Sequence, residues 1–164
     1  LMDNRIKILN ENNIKASELF NVAFNLEPME GAREFLDNIR SNYQVVILSD
    51  TFYDLARPIF SKLNWPTVFC HTLKVDGNDK ITGYKIRVDD HKKKAVESFK
   101  KLNFKTISVG DSYNDLSMLR ESDCGILFRA PEEIKDANQR FFNCDKYNDL
   151  KDKILDTIAI WKDI

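Results

Sequence analysis

The stretch Val45-Val46-Ile47-Leu48-Ser49-Asp50-Thr51 decides how the rest of the chain is read. Gln44 to Leu48 is a short aliphatic run with no polar face, the pattern of a strand buried on both sides in a parallel sheet. It stops at a hydroxyl and a carboxyl. Phe52 to Leu63 then reads as a helix, which Pro58 weakens or kinks. The same design recurs where Thr106-Ile107-Ser108-Val109 ends at Gly110-Asp111-Ser112-Tyr113-Asn114-Asp115 and Leu116 to Glu121 turns helical. Between the two, Val68 to Val75 and Lys80 to Arg87 form a hairpin around the turn Asp76-Gly77-Asn78-Asp79. Asp90 is the expected cap of a lysine-rich helix, Lys92 to Leu102. Cys124 to Phe128 is a further strand, Pro131 opens a helical turn, and Tyr147 to Lys162 is a terminal amphipathic helix. Three helices precede Val45: Met2 to Asn12, one capped by Ser17, and Glu30 to Ser41. Strands alternating with helices imply βαβ units around a parallel sheet.

Composition narrows the class. With 25 basic and 26 acidic residues in 164, the net charge of −1 offers no electrostatic attraction for nucleic acid or an anionic membrane. The hydrophobic content of 43% and charged content of 31% fit a globular protein. The longest aliphatic or aromatic runs are four residues, far short of the roughly 18 a membrane span needs. Cys70, Cys124 and Cys144 are odd in number and widely spaced, as in reduced thiols of a cytoplasmic protein.

Ligands of parallel sheets bind beyond the carboxyl ends of the strands. At the first such end, Ser49 and the amides of a strand-to-helix turn can hold a phosphoryl oxygen; Ser49 or Asp50 can equally cap the next helix. At the second, Asp111 and Asp115 are four apart, a spacing that places two carboxylates on one side of a helical turn. Hard oxygens so arranged suit Mg²⁺, which takes one or two carboxylates and a phosphate. Asp111 or Ser112 could instead be a helix N-cap. Lys92, Lys93 and Lys94 compete as a cation between these strands, and by spacing alone each reads as an ordinary surface lysine.

A hydroxyl turn, a lysine and an acidic Gly-Asp-x-x-Asn-Asp loop, in this order, resemble the haloacid dehalogenase superfamily of phosphatases. Ser49, Lys92 and Asp111 are similar to its second, third and fourth motifs. Glu27-Pro28-Met29-Glu30-Gly31-Ala32, Val45 to Tyr53, Gly110 to Asp115 and Gly125-Ile126-Leu127-Phe128-Arg129-Ala130-Pro131 resemble the ThrH-type phosphoserine phosphatases. That family is also described as phosphoserine:homoserine phosphotransferases. The resemblance implies a Rossmann-like α/β core over residues 27–164, a partial helical cap over residues 1–26, and the 70–88 hairpin as a flap. It implies attack of an aspartate on O-phospho-L-serine, an aspartyl-phosphate, and transfer to water or homoserine. Mg²⁺ is the implied cofactor. Asp111 would ligate it and Asp115 would support its shell. Lys92 would neutralise charge, Ser49, Asp50 and Asn114 would contact phosphate or substrate, and Arg5 would hold the substrate carboxylate. Monomer and homodimer both remain open.

The sequence departs from the family at one point. No Asp-x-Asp or Asp-x-Glu occurs in it, so the family's nucleophile and its acid partner are absent. The strand that carries them would lie mid-sheet between the Val45 and Thr106 strands. The chain, which begins Leu1-Met2 inside a helix, is therefore expected to be the C-terminal part of the enzyme. The alternatives are another small-molecule phosphatase of the superfamily and a non-catalytic binding or regulatory module.

Overall fold

The computed structural model describes residues 2–162. The chain divides into two compact units, Leu1–Asp89 and Asp90–Ile164.

In the first unit, α1 (Met2–Glu11), α2 (Ala16–Phe24) and α3 (Ala32–Arg40) precede β1 (Val46–Phe52), α4 (Tyr53–Lys62), β2 (Thr67–Val75) and β3 (Ile81–Lys85). β1 and β2 are parallel, joined by the α4 crossover. The far half of β2 turns to pair antiparallel with β3, so the hairpin is present as expected. Its turn is held by Asp76, whose Oδ1 accepts the backbone N–H groups of Asn78 (2.9 Å) and Lys80 (3.0 Å). α1 and α2 lie on this hairpin. Ala16, Phe52, Leu73 and Ile81 form the buried cluster, with Ile6, Leu9, Leu19 and Phe20 packed against it. Backbone polar groups follow: Asn10 donates to the Ile81 carbonyl at 3.0 Å and the Ala16 N–H to that of Asp79 at 3.0 Å.

In the second unit, α5 (His91–Lys101), β4 (Ile107–Gly110), a 3-10 turn (Tyr113–Asp115), α6 (Leu116–Glu121), β5 (Cys124–Phe128), α7 (Glu132–Ala137), β6 (Phe142–Cys144) and α8 (Tyr147–Lys162) follow in order. The strands β4-β5-β6 are parallel throughout. Leu119, Ile126, Leu127 and Leu150 are its most deeply buried side chains.

β1 and β4 are each the outer strand of their own three-stranded sheet, and no described strand pairs with either on its other side. Two expectations about caps are corrected, and one strand is new. Ser17 is not the cap of α2. Lys15 holds that position, its N–H bonded to Glu18 Oε2 at 2.7 Å, while Ser17 Oγ donates to Asp79. Asp90 stands at the head of α5 but in a left-handed conformation (φ 48°), and its carboxylate accepts from Ser117 Oγ at 2.8 Å instead of capping. β6, only three residues long, has no counterpart in the sequence reading.

Candidate functional site

Asp115 organises the mouth of β4. Its Oδ2 accepts the N–H of Asp111 (3.1 Å), the N–H of Ser112 (3.1 Å) and Ser112 Oγ (2.9 Å). Its Oδ1 accepts Lys92 Nζ at 2.8 Å. Burial alone would raise this carboxyl, but the ammonium and the N–H donors outweigh it and hold it below the usual carboxylate range. Lys92 is the buried lysine of α5, whereas Lys93 points outward to Glu97 at 3.3 Å. Gly110 makes this approach possible. A Cβ there would lie 2.4 Å from Asp115 Cβ and 2.9 Å from Oδ2.

With Asp115 engaged on every side, Asp111 is left as the exposed carboxylate of the loop. Its own proton affinity is raised, first by desolvation and then by the Asp115 charge. Asp111 is thus an oxygen donor held in place by the Asp115-braced loop, of the hard kind that a divalent cation such as Mg²⁺ fits. Asn114, in the 3-10 turn, is exposed beside it. Ser112 does stand at the cap position of that turn; Asp111 does not.

The mouth of β1 is built differently. Leu48 pairs with Phe69 and Phe52 with His71, so Ser49, Asp50 and Thr51 face the single residue Cys70. This bulge pushes the three residues out of the ladder at the strand's end. Neither Ser49 nor Asp50 caps α4, whose N-cap position is Phe52. Below the bulge lie residues that sequence reasoning passed over. His71 is buried, its Nε2 3.8 Å from Asp50 Oδ1. The Arg87 N–H donates to His71 Nδ1 at 3.3 Å. The Arg87 guanidinium donates to the Cys70 carbonyl (3.3 Å) and to Tyr53 Oη (2.8 Å), and Tyr53 Oη donates to the Val68 carbonyl at 2.7 Å. The Cys70 thiol, 1% exposed, is pushed up to about 11, chiefly by burial. Arg5 is an exposed residue of α1.

The mouth of β1 in the first unit carries a hydroxyl bulge, and that of β4 in the second carries a lysine-braced acidic loop; strand mouths are where α/β folds bind ligands. The sequence model of the haloacid dehalogenase-like hydrolases matches residues 12–120, and the chain belongs to that family. Among curated proteins it is 44% identical to phosphoserine phosphatase ThrH of Pseudomonas aeruginosa, over 94% of this chain and 76% of that protein. It is 41% identical to a phosphoserine phosphatase of Pseudomonas syringae pv. tomato, over 94% of this chain and 65% of that protein. Among solved structures, the phosphoserine phosphatase of T. onnurineus superposes with a TM-score of 0.67 at 20% identity, over 86% of this chain and 66% of that one. The fold is therefore the Rossmann-like α/β fold of this family. The chain spans between about two thirds and three quarters of the length of these relatives. Among the described residues, no helix is long and apolar enough to cross a membrane.

Proposed function

We propose that this chain carries the phosphate- and metal-binding part of a Mg²⁺-dependent phosphoserine phosphatase of the cytoplasm, with homoserine as a second phosphoryl acceptor. The observation that carries the reading is the 44% identity to ThrH along 94% of the chain. The arrangement around Asp115 supports it chemically.

In this reading residues 27–164 form the core, residues 1–26 contribute to the cap, and the 70–88 hairpin is its flap. Ser49 and the amides of the β1 bulge hold phosphoryl oxygens, and Asp50 orients the substrate from the same bulge. Arg5 takes the substrate carboxylate and Asn114 contacts the substrate. Lys92 offsets the negative charge that gathers where phosphate and carboxylates meet. Asp111 holds Mg²⁺, and Asp115 fixes the loop that presents it. When bound, Mg²⁺ would supply Lewis-acid stabilisation of charge on a phosphoryl oxygen.

The covalent step needs an aspartate that attacks phosphorus and an acid that protonates the departing serine oxygen. No Asp-x-Asp or Asp-x-Glu is present, so both groups come from residues outside this sequence. The test is phosphate release from O-phospho-L-serine by this chain alone and by the chain joined to the aspartate-bearing segment of its gene. Turnover is expected only from the joined protein, and only with Mg²⁺. Robust turnover by the chain alone would overturn the assignment of the nucleophile. Inert joined protein would overturn the phosphatase reading and favour a binding module.

A further inference from the structure

We infer that His71 is a positioning residue for the Ser49–Thr51 bulge, acting through Asp50, and that the Arg87 backbone sets which imidazole nitrogen carries the proton. The inference rests on the phosphatase reading above.

The argument begins with the ladder. A bulge of three residues against one has lost its backbone pairing and needs side chains to define its shape. The one ionisable residue in it is Asp50, with a side chain 44% exposed. His71, which pairs with Phe52 on the partner strand and is 8% exposed, brings its ring to the Asp50 side chain. A backbone N–H cannot be rotated away or deprotonated. The Arg87 N–H aimed at Nδ1 therefore requires a lone pair there, and the ring carries its proton on Nε2. Nε2 is the nitrogen that faces Asp50 Oδ1, at 3.8 Å. That distance is too long for a hydrogen bond but short for the attraction between an N–H dipole and a carboxylate.

Arg87 is itself fixed. Its guanidinium bonds the Cys70 carbonyl, in the residue facing the bulge, and the Tyr53 hydroxyl on the first turn of α4. It also lies 5.2 Å from the centre of the Phe69 ring. Arg87 thus ties the segment after the hairpin to the middle of β2 and the first turn of α4, beside the His71 imidazole. Asp50 is steered by a donor whose tautomer and ring plane are both defined, and Ser49 is its covalent neighbour. The role of His71 is to set where the Ser49 hydroxyl and the bulge amides meet the phosphoryl group.

Two substitutions separate this role from packing. His71→Asn keeps an acceptor where Nδ1 was, for the Arg87 N–H, but loses the group that faces Asp50. His71→Gln keeps a donor at the Nε2 position. In the full-length enzyme, His71→Asn should raise KM for O-phospho-L-serine about tenfold with kcat within about twofold, and His71→Gln should recover KM to within about threefold. Adding His71→Asn to Asp50→Asn should change KM no further, because the two act as one unit. Nitrogen-15 NMR of the wild-type imidazole should show the Nε2–H tautomer, and its shifts should move in Asp50→Asn. An Nδ1–H tautomer, equal effects of Asn and Gln, or multiplying effects of the two positions would overturn the inference. The NMR arm needs no turnover. A normal NMR result with no phosphoserine hydrolysis by wild type would refute the substrate and leave the His71–Asp50 relationship standing.

Discussion

Lys92 Nζ and Asp115 Oδ1 lie 2.8 Å apart, and each side chain is only 9% exposed. Two opposite charges removed from water together are stable only as a pair. Losing Lys92 leaves the buried Asp115 charge to the three loop donors alone, at a cost of up to about 3–5 kcal/mol.

Lys92→Ala should therefore lower unfolding stability by up to about 3–5 kcal/mol as well as activity. Lys93→Ala removes an exposed pair with Glu97 and should cost less than about 1 kcal/mol. Urea unfolding of the two variants, with phosphate release in parallel, checks both. The larger effect at position 93 would shift the third-motif lysine by one residue.

Gly110→Ala should act on the same pair from below. The added methyl overlaps Asp115 Cβ, so the carboxylate must move from Lys92 and from the loop amides. A destabilisation of about 1–3 kcal/mol is expected from overpacking. Mg²⁺ titration by calorimetry should show weakened binding in the same variant.

In the protein joined to its aspartate-bearing segment, Asp111→Asn should abolish most phosphoserine hydrolysis with the fold intact. Without Mg²⁺ it should also unfold at the same or a higher temperature than wild type. Partial desolvation beside the loop and the Asp115 charge both disfavour its carboxylate, so neutralising it relieves the loop. Near-normal turnover would refute Asp111 as the ligand.

Asp123 gives a pH signature away from the site. Burial pushes its carboxyl up, but the N–H (2.8 Å) and hydroxyl (3.0 Å) of Thr106 bond the charged form and leave it below its ordinary value of 3.8. The unfolded chain binds this proton first as pH falls. The contribution is thus complete above the ordinary value and drains away as pH falls through the lower folded value. Asp123→Ala should cost about 0.5–1.5 kcal/mol at pH 7, since water partly replaces the bonds of this exposed carboxylate. The loss should shrink below about pH 4, where the unfolded carboxyl takes up its proton. Unfolding curves from pH 7 to pH 2 check this. A constant loss would refute it.

The strand mouths were legible because a buried strand is marked by an unbroken aliphatic run and its end by the first polar residues, as at Ser49 and Gly110. Lys92 could not be separated from Lys93 by spacing, since the phase of α5 is set by where it starts. The left-handed Asp90 starts it at His91 and so turns His91, Lys92 and Val96 inward. The sequence reading leaves β1 and β4 without the strand expected between them, and among the described residues each ends its own three-stranded sheet. His71 and Arg87 were invisible for another reason. They meet through the hairpin register and the β1 bulge, and neither leaves a trace in local periodicity.

The three donors that Asp115 draws together from Asp111 and Ser112 also bear on dynamics. Backbone amides tied to a buried carboxylate exchange with solvent slowly, as those of a regular strand do, although this segment has no ladder partner. The loop is thus ordered when the second unit folds, not when a ligand arrives. Association at Asp111 then sacrifices little chain entropy, and the affinity of this mouth for a cation is governed by charge and dehydration.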